Sequence, residues 1–214
     1  MQPLILIPCK SFAAGKSRLR TVLSPERRAA LCRSFLVDTV TLAEKLVARS
    51  HIHIVSADLN VASVASEMGV HCDGENDIDL NSALTASVAK IMGKHENAER
   101  NIVILPIDLA FNSPAAIATV IAARADVVVV PDRLDRGTNL LRLGGNFVTK
   151  FRFQYGDNSF SKHRAEAEGL RLTVEILRDP LLCFDVDTPA DYAAWVGDAA
   201  DPPNVARNCQ PTIR

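Results

Sequence analysis

Three aspartates at the ends of apolar runs, and one loop rich in cations and small residues, hold most of the reactive potential of this sequence. Asp108 follows the apolar run 102–105 through Pro106 and Ile107, and Asp185-Val186-Asp187 follows Leu182-Cys183-Phe184. If 182–186 is a strand, the acids at i and i+2 share one of its faces. Neighbouring carboxylates repel unless a cation lies between them. Magnesium suits that place, because it takes hard oxygen ligands from one or two carboxylates and from phosphates. The bland alternative is that Asp187 caps the following helix and Asp185 faces solvent.

The loop is Pro8-Cys9-Lys10-Ser11-Phe12-Ala13-Ala14-Gly15-Lys16-Ser17-Arg18-Leu19. Lys10, Lys16 and Arg18 bring three positive charges, and Ala13, Ala14 and Gly15 let backbone amides approach an anion. A triphosphate needs such a site; a solvated basic loop is the alternative. Gly15-Lys16-Ser17 imitates the end of a P-loop, but Lys10 stands where the first glycine of that motif is required, which argues against a P-loop NTPase. Two further stretches suit an anion. Pro131-Asp132 leads to Gly137-Thr138-Asn139, and Phe153 leads through Gly156 to Ser159 at the expected start of a helix. Each also reads as an ordinary turn and cap. Of the five histidines, His51, His53, His71 and His95 are dispersed, and His163 alone falls near these loops. No Gly-x-Ser-x-Gly elbow is present, so Ser-His-Asp nucleophilic catalysis has no support.

Alternating short apolar runs and helical stripes position these loops. Runs at 4–7, 52–56, 70–72, 102–105 and 127–130 predict strands, most of them buried on both faces. Ser24-Pro25-Glu26 opens a helix with its buried stripe on Ala29, Cys32, Leu36, Val40, Ala43 and Val47. Asn60 is the expected cap of a helix ending at Met68-Gly69, residues 80–92 form another, and Ser113-Pro114 caps a fourth. From residue 139 the pattern turns strand-rich, with strands expected at 139–143, 172–177 and 182–186, a helix from Ser159 to about Gly169, and a capping box in Thr188-Pro189-Ala190-Asp191. This predicts an α/β sandwich with a mainly parallel sheet and an inserted antiparallel element. Ligands then sit beyond the carboxyl ends of the strands, which is where the loops above fall.

The 214 residues, 48% hydrophobic and 23% charged, suit one domain over 1–197 with a loosely ordered tail over 198–214. A net charge of −1 gives no global field for nucleic acid or membranes, so an anion site must be local. Cys9, Cys32, Cys72, Cys183 and Cys209 have no zinc-type or redox spacing and read as reduced thiols of a cytoplasmic protein.

The chain resembles the guanylyltransferases of coenzyme F420 biosynthesis, the 2-phospho-L-lactate or phosphoenolpyruvate guanylyltransferase family. The resemblance lies in Pro8-Cys9-Lys10 with Lys16-Ser17-Arg18-Leu19, Leu80-Asn81, and Pro106-Ile107-Asp108-Leu109. It continues in Pro131-Asp132 with Gly137-Thr138-Asn139, Phe153 with Gly156 and Ser159-Phe160, His163, and Asp185-Val186-Asp187-Thr188-Pro189. It implies a three-layer α/β/α sandwich with a mixed, mainly parallel sheet, the nucleotide-diphospho-sugar transferase (GT-A-like) fold. It further implies transfer of GMP from GTP to the phosphate of 2-phospho-L-lactate, phosphoenolpyruvate or 3-phospho-D-glycerate, with release of pyrophosphate. By the same resemblance Asp108, Asp185 and Asp187 would hold Mg²⁺, and Lys16, Asp108 and Asp187 would carry catalysis. Pro8, Lys10, Lys16, Arg18 and Asn81 would meet the nucleotide; Thr138, Asn139, Gly156 and Ser159 would meet the acid. A cytidylyl-, molybdopterin-cofactor guanylyl- or glycosyl-transferase of the same fold stays open, as does a catalytically silent nucleotide-binding module. The sequence also leaves open whether the chain forms a homodimer.

Overall fold

The computed structural model describes residues 2–74, 79–94, 99–111 and 113–198. Of the expected tail, only Asp198 falls within them, as the last residue of a helix; the rest of it, with Cys209, and also His95, lie outside the described residues.

Among the described residues, seven strands form one sheet: β1 (Leu4–Pro8), β2 (Ile52–Val55), β3 (His71–Asp73), β4 (Ile102–Ile104), β5 (Val127–Pro131), β6 (Thr138–Leu143) and β7 (Val174–Ile176). Their order is β3-β2-β1-β4-β6-β5-β7, parallel except for β6, which runs antiparallel between β4 and β5. The inserted antiparallel element expected from the sequence is this strand. The helices are α1 (Pro25–Glu44), α2 (Leu59–Met68), α3 (Leu80–Met92), α4 (Pro114–Ala122), α5 (Ser159–Gly169) and α6 (Pro189–Asp198).

The strands read as unbroken apolar runs because both faces of the sheet are covered. In β1, Ile5 and Ile7 join a core with residues of α1, α2 and α4, while Leu4 and Leu6 join another with residues of α3 and α5. That alternation makes a three-layer α/β/α sandwich.

Local chemistry explains most of the helix limits. Ser24 accepts from the Arg27 amide with Pro25 at the first helical position, and Ser113 does the same from Ala116 ahead of Pro114. Two expected caps belong to other residues. Asp58, not Asn60, caps α2 by accepting from the amides of Asn60 and Val61; its fixed carboxylate does this from two residues upstream. Asn158, at φ 55°, precedes α5, and Ser159 is that helix's first residue with its hydroxyl turned elsewhere.

One expected strand is not formed. The segment 182–186 makes a single antiparallel bridge, Leu109↔Asp185, with Ala110 donating to Phe184 and Val186 donating to Asp108. The Asp179 carboxylate draws the amides of Leu181 and Leu182 into a turn, and the chain then crosses the carboxyl edge of the sheet instead of joining it. The two acids therefore do not share the face of a regular strand. A third apolar cluster lies beneath this crossing: Phe35, Phe184 and Val186 pack with Ile107, Ala110, Tyr192 and Trp195. The Trp195 indole donates to the Ala110 carbonyl at 3.1 Å. This cluster clamps the Asp108 segment to the Asp187 segment.

Candidate active site

The carboxyl edge of the parallel strands gathers the loops picked out in the sequence. After β1, the chain turns through Ser11, whose carbonyl accepts from both Ala14 and Gly15. Arg28 of α1 donates to the Gly15 carbonyl at 3.0 Å, fixing the loop from outside. Lys16 follows at φ 50°, a left-handed conformation that a lysine adopts only at some cost. The strain aims its side chain inward, where it is only 6% exposed.

The Lys16 ammonium lies 2.6 Å from Asp108 Oδ2 and 3.3 Å from Asp187 Oδ1, and Arg18 meets Asp187 Oδ2 at 2.5 Å. Burial alone would lower the lysine's pKa, but the charges and hydrogen bonds of Asp108 and then Asp187 outweigh it, and the net shift is upward. Lys16 is therefore a fixed cation. Asp185 stands beside the pair and accepts from the Asn139 amide at 3.4 Å. Burial first, then the charges of Asp108 and Asp187, push its carboxyl up to about 6. Three acids with two cations still leave local negative charge short of compensation.

That residual charge is what a divalent ion would neutralise, and the donors are hard carboxylate oxygens of the kind magnesium takes. Among the described residues, no group of three or more His, Cys, Asp or Glu side chains stands ready to enclose an ion. Lys16 accounts for this physically, because its ammonium lies between two of the acids. The donor set fits a divalent ion, in competition with that ammonium.

The second half of the site lies on β6 and α5. Asp132 accepts from the amides of Leu134, Arg136 and Gly137, which curls the β5–β6 turn around its carboxylate. A Cβ on Gly137 would stand 2.9 Å from Asp132 Oδ2, so a larger residue there would press on the carboxylate that holds the turn. The turn delivers Thr138, whose amide donates to Ser159 Oγ at 2.9 Å and whose hydroxyl lies 2.9 Å from His163 Nδ1. Gly156, at φ 119°, lets the chain turn before α5. Asn139 also donates to the Leu182 carbonyl at 3.0 Å, so it links this half to the aspartate crossing.

The structure thus brings together Lys16, Arg18, Asp108, Asp185, Asp187 and Asn139, and beside them Thr138 and Ser159. Gly156 lies on the same loop as Ser159. Pro8 ends β1 in register with Val55. Lys10 is exposed and forms no ion pair among the described residues. Both ends of the Asn81 amide engage the Tyr155 backbone, at 2.7 and 3.1 Å, so Asn81 ties α3 to the Gly156 loop. Reasoning from sequence missed Arg133, which pairs with Asp191 and lies 4.1 Å over the Phe184 ring. It read Asp191 only as a helix cap. That carboxylate also accepts from the amide of Asp187 itself, at 3.2 Å. Burial leads the causes that push the Cys9 thiol up to about 12, far from a reactive thiolate. No described helix is long and apolar enough to cross a membrane.

Known proteins share this arrangement of sequence. The model of the family described as "Guanylyl transferase CofC like" matches residues 3–197. A phosphoenolpyruvate guanylyltransferase of Chloroflexus aggregans is 32% identical over 190 residues, covering 86% of this chain and 91% of that protein. A 2-phospho-L-lactate guanylyltransferase of Methanothermobacter thermautotrophicus is 30% identical over 194 residues, covering 89% and 82%. Among solved structures, CMP:2-keto-3-deoxy-manno-octonic acid synthetase in complex with CTP aligns with a TM-score of 0.62 at 12% identity, covering 94% of this chain and all of that one. At that identity the likeness speaks for the fold alone.

Proposed function

We propose, from the premise that this chain belongs to the family of CofC-like guanylyl transferases, that it moves GMP from GTP onto the phosphate of a three-carbon phosphorylated acid in coenzyme F420 biosynthesis. The chain is a nucleotidyltransferase. The acceptors named for its relatives, phosphoenolpyruvate and 2-phospho-L-lactate, are the first candidates. 3-Phospho-D-glycerate, of the same size and charge, is the third to test. The observation that carries the reading is the Lys16 ammonium held between Asp108 and Asp187, beside the Thr138–Ser159 pair.

In this reading the triphosphate lies along the loop from Lys10 to Arg18. Lys16 and Arg18 neutralise its phosphates, and the Ser11–Gly15 turn keeps the backbone close. An oxygen of the acid's phosphate forms the new bond to the α-phosphorus of GTP, the bond to the β-phosphate oxygen breaks, and pyrophosphate leaves. The attacking phosphate is already anionic, so no strong general base is required. Holding the two anions in line and offsetting their repulsion provides the acceleration. Mg²⁺ bound to Asp108, Asp187 and Asp185 would supply the charge neutralisation that Lys16 and Arg18 leave incomplete. Thr138, Asn139, Gly156 and Ser159 orient the acid. We place the activity in the cytoplasm, where GTP and these acids are found together.

The test is pyrophosphate release with GTP, CTP and ATP against each of the three acids, the product being identified by mass. GTP with one acid should turn over. Turnover only with CTP would replace this reading by a cytidylyl transfer, and GTP binding without turnover for any acid would leave a silent binding module. Asp187→Ala should abolish release while the protein keeps its thermal transition, since Lys16 retains its shorter bond to Asp108. Near wild-type release in that variant would remove Asp187 from the metal site.

A further inference from the structure

His163 is fully buried on α5 and lies outside the loops that bind anions, yet both its ring nitrogens are in use. The amide of Gln154 reaches Nε2 at 3.0 Å. A backbone N–H can only donate, so Nε2 is an acceptor and carries no hydrogen. Neutral imidazole holds one proton, which must then sit on Nδ1 and point at Thr138 Oγ1, 2.9 Å away. The ring cannot turn over to reverse these roles, because Phe151 and Tyr155 pack against it with centroids at 5.8 and 4.8 Å. Burial first, and the Lys162 charge second, hold its pKa down near 4, which keeps this neutral tautomer over the physiological range.

The consequence falls on Thr138. A hydroxyl has one hydrogen to donate and two lone pairs to accept. One lone pair takes the hydrogen from His163, so the hydroxyl's own hydrogen is directed away from the imidazole. Ser159 is fixed in the same sense, since its oxygen accepts from the Thr138 amide at 2.9 Å. Among the described residues neither hydroxyl donates a hydrogen bond to the protein. Two oriented donors therefore stand together on the edge that also bears Asn139 and Asp185.

We propose that His163 is a positioning residue for the acceptor acid: it locks the Thr138 hydroxyl as a donor, and this donor, with that of Ser159, meets a carboxylate or phosphate oxygen of the acid. The role lies in the imidazole's fixed tautomer, not in contact with substrate or in proton transfer. It rests on the acceptor site proposed above, and the experiment separates the two.

Two substitutions split the functions of the ring. His163→Asn keeps an N–H near the Nδ1 position and loses the Nε2 acceptor; His163→Gln keeps a polar atom near Nε2 and loses the donor to Thr138. With wild type as reference, the KM for the acid should rise about 10- to 100-fold in His163→Gln, the loss of a hydrogen bond to a charged group. It should stay within about threefold in His163→Asn, with the KM for GTP steady in both. Adding His163→Gln to Thr138→Val should give no further rise. Equal effects of the two substitutions, parallel shifts in the GTP KM, or a full additional rise in the double variant would overturn the assignment. If a variant fails to fold, ¹⁵N NMR of the wild-type histidines decides: a buried imidazole protonated on Nδ1 is expected, and one protonated on Nε2 would refute the proposal. If wild type itself turns over no acid with GTP, the functional reading fails, and the NMR result still stands on its own.

Discussion

Lys16 is the buried counter-ion of two acids, and in the function proposed above it also neutralises the nucleotide phosphates. Its ammonium is held by Asp108 and Asp187. A triphosphate offers the ammonium a denser set of negative oxygens. Lys16→Ala should therefore lower kcat/KM for GTP by about 10²–10³-fold, the usual effect of removing one preorganised charge from a transition state. The same variant should bind Mn²⁺ more tightly than wild type without nucleotide, read by electron paramagnetic resonance, because the competing cation is gone. A change confined to the acid's KM would move Lys16 out of the nucleotide site. His163 makes a pH prediction at the same scale. Its folded pKa, near 4, lies below the unfolded value of 6.5, so between these values the unfolded chain binds more protons. Its contribution to stability is complete above pH 6.5 and is lost progressively as pH falls toward 4. Thermal unfolding of wild type should drop more steeply over that window than that of His163→Asn, and parallel curves would refute the buried neutral state.

At the scale of elements, short connectors set the geometry. The capping box expected at Thr188–Asp191 is formed, with Thr188 donating to Asp191 at 2.7 Å and Asp191 donating back to Thr188 Oγ1 at 3.2 Å. Its other bonds go further: the same carboxylate holds the Asp187 amide and pairs with Arg133 from the β5–β6 turn. The start of α6 thus fixes the acid that Lys16 and Arg18 grip. Asp191→Ala should cost about 1–2 kcal/mol in denaturant unfolding, as for a lost cap, and should also lower kcat by about tenfold through a loosened Asp187. If only stability fell, with kcat intact, the cap would have no part in placing that acid. The capping residues were legible because S/T-x-x-D is a local pattern. The Arg133 link was not, because 58 residues separate it from Asp191 and no local rule joins them.

For the molecule as a whole, the site belongs to no single element. Lys16 and Arg18 come after β1, Asp108 after β4, Thr138 from β6, Ser159 from α5 and Asp187 from the approach to α6. Nucleotide would bind across segments up to 171 residues apart in the chain, so it should stabilise the native state globally. At a GTP concentration of about 100 times Kd, with Mg²⁺, the gain is about 2.7 kcal/mol. A thermal shift of several degrees should follow in wild type and shrink in Asp187→Ala. An unchanged transition in wild type under saturating GTP would count against a site assembled from these segments.

The sequence by itself determined the composition of the layers and the positions of the site loops. Continuous apolar runs imply strands buried on both faces, and in such sheets the chemistry collects past the strand ends. The acids at 108, 185 and 187 and the basic loop were legible for that reason. Tertiary structure decided what lay between them. Two acids that alternation would set on one strand face are held by a single bridge across the sheet edge, because Asp179 turns the chain before a ladder can form. A lysine that reads as one of three loop cations becomes the buried counter-ion of two distant acids. His163, which the sequence placed only near these loops, comes within 2.9 Å of the Thr138 hydroxyl. Local patterns report burial and caps; which way a hydroxyl, an amide or an ammonium points depends on neighbours that only the fold brings within 3 Å.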